Sequence, residues 1–248
     1  MLGSQSEALG RNDAHCVTQR RLCLAAAVLI VGIGCSHAEQ IDVSGVWLPE
    51  KPSKEIRTSE GELPPLRSEF LELYEQRLAS LERGDNSFDP VEAKCAMPGL
   101  TRMHFIPYPV QIFQNELRVA FVYEFNHNFR SVSITDQQPV APWETAYGLG
   151  AAQFIDDKLV VRTSGLIDET FLDSMGMPHS NALNVTETYR LLRDGDKLEV
   201  TLEFSDQEAF SSPWTTIVTY RRLRNYQLAE DICLDRTSLG GPAIDWNN

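Results

Sequence analysis

The position in the sequence that most strongly indicates chemistry is a carboxylate that falls within an apolar pattern. Between residues 182 and 192 apolar and polar side chains alternate, and Glu187 falls on the apolar side together with Val185 and Tyr189. A carboxylate that faces a core must be paired or hydrogen-bonded, and desolvation raises its pKa. Glu187 is therefore a candidate general acid or base. A structural ion pair, or a bulge that reverses the register of the strand, would explain the same pattern.

The segment 168–180, which precedes that strand, is long for a connection between two strands. It combines Asp173 and His179 with apolar side chains such as Phe171. Long loops on a strand scaffold are often functional. If the loop folds over the end of the strands, His179 oriented by Asp173 could exchange protons beside Glu187. The alternative is a lid in which His179 is hydrogen-bonded to the backbone.

Aromatic side chains at inward positions of the predicted strands, and one in the loop, could line a cavity for an apolar or ring-shaped ligand. The same side chains could equally be part of a solid core. The candidate ligand-binding residues are Tyr123, Phe171, Tyr189, Trp214 and Tyr220.

Metal, cofactor and nucleic-acid chemistry have little support in the sequence. His104 and His127 are not part of an HxH or HExxH motif, and there is no P-loop and no GxGxxG motif. We predict neither a metal nor a cofactor. The 248 residues include 22 basic and 35 acidic side chains, for a net charge of −13. Such an acidic chain is not expected to bind nucleic acid, which requires clustered Lys and Arg.

The N-terminus has the pattern of a secretory signal peptide. Arg20 and Arg21 precede the apolar run 22–34, and Ser36-His37-Ala38 places small residues three and one positions before a cleavage site. The run is too short to span a bilayer, so no membrane span is expected after processing. We therefore predict a signal peptide over residues 1–38 and a periplasmic or secreted protein. Lipid attachment at Cys35 is the alternative.

Removal of this leader would leave two cysteines, Cys95 and Cys233. Because exported proteins fold in an oxidising compartment, we expect these two residues to form a disulfide. Two unrelated thiols are the alternative.

The remaining pattern predicts one helix followed by strands. Apolar residues spaced by three and four residues predict an amphipathic helix over 65–83. From residue 110 the period changes to two, which predicts eight strands over 110–114, 117–125, 129–134, 147–155, 158–164, 182–192, 197–204 and 214–223. Turn signals such as Asp194-Gly195 favour successive antiparallel hairpins.

Eight antiparallel strands with one apolar face each predict a mainly β fold, as an eight-stranded lipocalin-like barrel, with a β-sandwich as the alternative. An eight-stranded barrel can hold one small ligand. The expected organisation is the signal peptide 1–38, an N-terminal extension over 39–100 that carries the helix, and an antiparallel barrel domain over 101–248.

Three short motifs resemble a group of exported, β-rich bacterial proteins to which no activity is attached. They are Gly45-Val46-Trp47, Cys95-x-x-Pro98-Gly99 and Gly176-x-Pro178-His179-Ser180. The resemblance implies export and assigns no catalytic residue.

The sequence thus supports an exported barrel that binds a small hydrophobic or amphipathic molecule. The alternative is a cofactor-independent acid–base enzyme, a lyase, isomerase or hydratase, that uses Glu187, His179 and Asp173 at the same cavity. A third hypothesis is an envelope protein that binds a partner through its acidic surface.

Overall fold

The computed structural model of the protein describes residues 40–137, 140 and 142–247. The predicted signal peptide and Cys35 lie outside the described residues. Within these ranges, no helix is both long and apolar enough to cross a membrane.

The described residues form nine strands that close into a barrel, in which neighbouring strands follow each other along the chain and β9 pairs with β1. The prediction of a mainly β barrel is confirmed, but the number of strands is nine and not eight. The strands are β1 Gly45–Pro49, β2 Val110–Gln114, β3 Arg118–Tyr123, β4 Phe129–Ile134, β5 Leu149–Ile155, β6 Lys158–Ser164, β7 Asn184–Leu192, β8 Lys197–Ser205 and β9 Trp214–Arg222.

The additional strand, β1, closes the barrel between β2 and β9. Its Trp47 is fully buried and pairs with Val110 on one side and with Arg222 on the other. The Arg222 guanidinium lies 4.1 Å from the centre of the Trp47 ring and donates to the Ser44 carbonyl at 2.8 Å. A Cβ atom at Gly45 would collide with that guanidinium, so a residue without a side chain is required there.

The prediction of antiparallel pairing throughout is wrong at one place, because β4 and β5 are parallel. Only two residue pairs join them, Ser133 with Ala151 and Ile134 with Ala152. Parallel neighbours cannot be connected by a tight turn, so the chain between them must return to the end of the barrel where β4 began. The β4–β5 pairing is the shortest in the barrel.

The helices lie outside the barrel wall and are α1 Ser68–Glu82, α2 Pro90–Lys94 and α3 Cys233–Ser238, with 3₁₀ turns at Arg102–His104 and Arg193–Gly195. α1 falls within the range 65–83. Its inward face is narrower than the sequence pattern suggests, since only Tyr74 is buried, while Phe70 and Leu78 are partly buried against the core.

A disulfide between Cys95 and Cys233 joins the end of α2 to the start of α3, which confirms the predicted pairing. It closes a loop with a sequence separation of 138 residues. A cross-link over such a loop contributes on the order of 4–5 kcal/mol in the chain-entropy description. The disulfide therefore fastens the C-terminal segment to the extension that precedes β2.

One end of the barrel is covered by these additional segments. The 3₁₀ turn Arg102–His104 lies shortly before β2 and therefore at the end where β2 begins. The C-terminal segment reaches the same end, because Asp231 forms a bridge with Phe125, just beyond the last residue of β3. This covered end positions His104 to reach into the barrel.

Candidate functional site

The side chain of Glu187 lies inside the barrel, as the alternation of β7 predicts. Val185, Glu187 and Tyr189 are buried, and Glu187 has no exposed surface. On the neighbouring strands it stands opposite Val161 of β6 and Leu202 of β8. An ionised carboxylate in such surroundings requires partners for both of its oxygens.

Three side chains supply these partners. Arg130 donates from Nη1 to Oε1 at 2.9 Å and from Nη2 to Oε2 at 2.6 Å. The Tyr189 hydroxyl donates to Oε1 at 2.6 Å, and His104 Nε2 lies 3.2 Å from the same oxygen. Burial alone would raise the pKa of Glu187, but the charge of Arg130 and the hydrogen bonds from His104 and Arg130 outweigh it and hold the pKa well below its usual range. Glu187 is therefore ionised at neutral pH.

The ionised carboxylate also determines which nitrogen of His104 carries the hydrogen. In a neutral His104 ring, Nε2 donates to the Glu187 carboxylate, which can only accept, and Nδ1 accepts from the Tyr220 hydroxyl at 2.7 Å. This tautomer is assigned from the hydrogen-bond network. A continuous chain of hydrogen bonds thus runs from Glu187 through His104 to Tyr220.

Arg130 is held on its other side by the barrel wall. Its Nη2 donates to Thr163 Oγ1 at 2.7 Å, and its guanidinium lies 5.2 Å from the centre of the Phe121 ring. A Cβ atom at Gly150 would come within 3.1 Å of Thr163 Oγ1 and 3.3 Å of Arg130 Nη2. The absence of a side chain at Gly150 leaves the space that the guanidinium occupies.

Three buried polar atoms beside this network form no hydrogen bond of normal geometry with the described residues, although the Tyr123 hydroxyl lies close enough to Arg130 for a weak hydrogen bond to oppose the rise of its pKa. They are Arg130 Nε, the Tyr123 hydroxyl and the Tyr147 hydroxyl. The rings of Tyr123 and Tyr147 are nearly parallel, with their centres 6.1 Å apart. Burial raises the pKa of both tyrosines, so both hydroxyls are neutral donors and acceptors. Buried polar groups are rarely left unpaired in proteins, and each such group needs an explanation.

The aromatic residues singled out in the sequence have different surroundings. Tyr189 and Tyr220 belong to the Glu187 network, and Tyr123 lies beside it. Trp214 stacks on Phe204 with 4.1 Å between the ring centres, as part of the packed core. Phe171 lies in the loop, where the Arg77 guanidinium is 4.1 Å from its ring centre.

Asp173 and His179 form hydrogen bonds that do not involve Glu187. The Asp173 carboxylate accepts backbone N–H groups of Ile56 at 3.0 Å and of Met175 and Met177 at 2.9 Å. Burial raises the pKa of Asp173 to about 6, although the backbone hydrogen bonds oppose that shift. Asp173 thus holds the loop against the extension.

His179 is also tied to its own loop. Its Nδ1 donates to the Ser180 carbonyl at 2.9 Å, and Nε2 lies 3.0 Å from Thr170 Oγ1. Burial lowers the pKa of His179, so the ring is neutral at pH 7. The hydrogen bonds of Glu187, Asp173 and His179 therefore go to three separate sets of partners, and the structure does not assemble them into one acid–base group.

Sequence reasoning missed the two residues that contact Glu187 from other elements. Arg130 occupies the same face of β4 as Val132, so the argument that singled out Glu187 could also have found Arg130. His104 comes from a 3₁₀ turn without periodicity, and its only signal is its position between Met103 and Phe105.

Within the described ranges, no group of three His, Cys, Asp or Glu side chains is arranged to hold a metal ion. No protein-family model matches the chain, and no curated protein matches it. The fold and the interior define it as a closed nine-stranded β-barrel with a buried ion pair and a cluster of tyrosine hydroxyls.

Proposed function

We propose that the barrel is a lipocalin-like binding protein for a small, mostly apolar molecule that carries a neutral hydrogen-bond acceptor. The observation that supports this proposal is a group of three buried polar atoms without a hydrogen bond of normal geometry: Arg130 Nε and the hydroxyls of Tyr123 and Tyr147. A carbonyl or ether oxygen of a ligand would accept from them and remove the cost of leaving them unpaired. The surrounding apolar and aromatic side chains would bind the rest of the molecule.

The charge balance of the interior favours a neutral ligand. The positive charge of Arg130 is matched by Glu187, and the tyrosine side chains are uncharged. A charged ligand would leave an uncompensated charge in a buried site, which is strongly unfavourable. Ketones, esters and amides with an apolar body meet this requirement.

We further propose that the protein acts in the periplasm or outside the cell, either free or anchored through a lipid on Cys35. The disulfide between Cys95 and Cys233 supports this location, since disulfides persist in oxidising compartments.

The test is recovery of a bound molecule. Full-length protein expressed with its leader is purified from the periplasm, and native mass spectrometry is recorded before and after organic extraction. The neutral fluorophore Nile red, which carries a ring carbonyl, serves as a probe for displacement. We expect a neutral molecule to be released, and a double variant Tyr123→Phe/Tyr147→Phe to retain less of it and to bind the probe less tightly.

The control is Tyr226→Phe, because Tyr226 is 41% exposed and its hydroxyl donates to Glu124 outside the barrel. It should bind like the wild type. The proposal is overturned if the wild type neither carries a molecule nor binds the probe, or if the double variant and the control behave alike.

The enzyme alternative retains one specific observation, the hydrogen-bonded chain Glu187–His104–Tyr220. In this arrangement Glu187 orients His104, and the imidazole is the group able to move a proton, in place of the predicted His179. Its test is prolonged incubation of the recovered molecule with the protein, followed by mass spectrometry. Conversion that is lost in His104→Gln supports catalysis, and recovery of the unchanged molecule argues for binding alone.

A further inference from the structure

A cavity of about 410 Å³ lies between the segment around α2 and the C-terminal tail. Its lining includes the polar side chains of Lys54, Asn86 and Glu92 and the apolar side chains of Met175 and Trp246. It is separate from the barrel interior, and no step of the proposed function uses it.

A buried arginine lies behind the polar wall. Arg102 is 1% exposed, and it donates from Nη1 to Asp89 at 2.9 Å and from Nε to Ser174 Oγ at 2.9 Å. Both of these partners line the cavity. The third nitrogen, Nη2, has no hydrogen-bond partner in the described part of the chain and points towards Glu92, whose Oε1 lies 3.9 Å away. The wall therefore contains a buried donor directed at a carboxylate that it does not reach.

Glu92 is the acceptor that this arrangement leaves for a ligand. Arg102 Nη2 lies 3.9 Å from Glu92 Oε1, too distant for a direct hydrogen bond, and the Glu92 carboxylate lines the cavity, where it can accept from a hydroxyl. Burial raises the pKa of Glu92, which indicates that its carboxylate lacks full compensation in the present arrangement.

The charges around the cavity favour a neutral partner. Lys54 and Arg102 contribute two positive charges, and Asp89 and Glu92 contribute two negative charges. An anion or a cation would meet a like charge as well as an opposite one. A molecule with several hydroxyl groups can instead donate to the carboxylates and accept from the nitrogen atoms at the same time.

Trp246 supplies a flat apolar surface in the lining of the cavity. Trp246 is half-buried, and the Lys54 ammonium lies 5.4 Å from the centre of its ring. An indole can bind the C–H face of a pyranose ring while its surroundings hydrogen-bond the hydroxyls. The exposed and flexible side chain of Lys54 can move aside or donate to a ring hydroxyl.

The tail that carries Trp246 is held in place by bonds to other segments. The disulfide anchors it at Cys233, the Asp245 N–H donates to the Tyr108 hydroxyl at 2.9 Å, and Arg236 donates to the carbonyl of Pro242 at 2.9 Å. A wall fixed in this way loses little conformational entropy on binding.

We propose that this cavity binds a neutral saccharide. Its hydroxyls donate to the carboxylates of Glu92 and Asp89, which line the cavity, and the apolar face of the sugar packs on Trp246. The site is independent of the ligand proposed for the barrel.

The experiment uses the purified protein with its disulfide intact. Saturation-transfer NMR and calorimetry are recorded with glucose, galactose, N-acetylglucosamine, maltose and chitobiose. We expect at least one of these sugars to bind with a Kd of about 1 mM or tighter. Trp246→Ala and Glu92→Gln should each weaken binding roughly tenfold, through loss of the stacking surface and of the charged acceptor.

The controls distinguish this site from other surfaces. Trp143→Ala removes a tryptophan that is 71% exposed and does not line the cavity, and it should bind the sugar as the wild type does. Glu92→Gln is nearly isosteric, so it provides a folded variant even if Trp246→Ala is unstable. The double variant Tyr123→Phe/Tyr147→Phe should also retain sugar binding.

Three results would overturn the proposal. The first is that none of the five sugars binds the wild type. The second is that Trp246→Ala and Glu92→Gln bind as Trp143→Ala does. The third is that the barrel variant, Tyr123→Phe/Tyr147→Phe, loses sugar binding, which would place the sugar inside the barrel.

Discussion

Arg130 and Glu187 form an ion pair with two parallel hydrogen bonds inside the barrel, with nitrogen–oxygen distances of 2.9 and 2.6 Å. Their side chains are 4% and 0% exposed. Removing two charges from water costs several kcal/mol for each ion, which only near-ideal geometry and additional hydrogen bonds offset. Here Tyr189, His104 and Thr163 supply those additional bonds. The ion pair is therefore the centre on which the buried side chains of Tyr189, His104 and Thr163 converge.

The first prediction concerns the removal of one partner of this pair. Arg130→Met should lower the free energy of unfolding by about 3–5 kcal/mol, because it leaves the Glu187 carboxylate buried and uncompensated. Glu187→Leu should have a similar effect. The double variant should lose much less than the sum of the two, since replacing both charges removes the unpaired one. Urea unfolding of the wild type, the two single variants and the double variant gives the four free energies of this double-mutant cycle.

An outward-facing pair between β7 and β8 is the control. Arg190 Nη2 lies 2.7 Å from Glu199 Oε1, and the two side chains are 45% and 23% exposed. Glu199→Gln should change stability by less than about 1 kcal/mol, because solvent screens such pairs. Additive losses in the cycle, or equal losses at the buried and exposed pairs, would show that the buried pair is not coupled.

Most of the barrel could be predicted because its strands alternate locally. Turn residues mark the ends of β7 and β8, and the alternation in these strands leaves only one register that buries the apolar face. β1 was missed because its residues are apolar without alternation and a polar, Pro-containing stretch follows it, so no neighbouring strand pattern marks it as part of the sheet. The parallel pairing of β4 and β5 was also missed, because alternation within a strand carries no information on the direction of its neighbour.

The interior network was predictable only in part, for a similar reason. Glu187 breaks the apolar alternation of β7, and this break is visible in the sequence. His104 approaches from 83 positions away and belongs to a segment without periodicity. The sequence analysis paired Glu187 with His179 because the two residues are near in sequence. In the closed barrel it is His104, far from Glu187 in sequence, that contacts the carboxylate.

The second prediction concerns the pH dependence of stability at Asp173, which should lower the free energy of unfolding as pH rises. The pKa of this buried acid is raised to about 6, so the folded protein binds a proton more tightly than the unfolded chain does. The contribution of Asp173 is therefore favourable below the unfolded pKa of about 4 and is lost as pH rises through about 6. We expect this loss to be about 3 kcal/mol.

Asp173→Asn removes this titration, so its stability relative to the wild type should increase between pH 4 and 7, as measured by urea unfolding at each pH. His179 provides a control of opposite sign. Burial lowers its pKa, so its contribution increases with pH through this range, and His179→Gln should lose stability relative to the wild type. Parallel pH profiles for Asp173→Asn and the wild type would contradict the assignment.

The third prediction concerns the disulfide. Replacing Cys95 and Cys233 by Ala should lower the free energy of unfolding by about 4 kcal/mol. Because the disulfide fastens α3, amide hydrogen exchange should accelerate first in residues 226–247 and remain slow in β7 and β8. Exchange measured by mass spectrometry in both proteins checks this, and acceleration of equal size in β7 would contradict a local role.

The fourth prediction tests the space reserved for the Arg130 guanidinium. In Gly150→Ala the new methyl group would lie 3.1 Å from Thr163 Oγ1 and 3.3 Å from Arg130 Nη2, closer than ordinary van der Waals contact. Because Arg130 is held by Glu187 and cannot move freely, we expect a loss of about 1–3 kcal/mol from overpacking. Combining Gly150→Ala with Thr163→Ser keeps the hydroxyl that Arg130 donates to but removes the β-branch that fixes its rotamer, so the hydroxyl can turn away from the new methyl group, which should restore part of the loss. Urea unfolding measures the stability of both variants. If Gly150→Ala is as stable as the wild type, the guanidinium is free to shift, and the ion pair is less rigidly placed than its two short hydrogen bonds indicate.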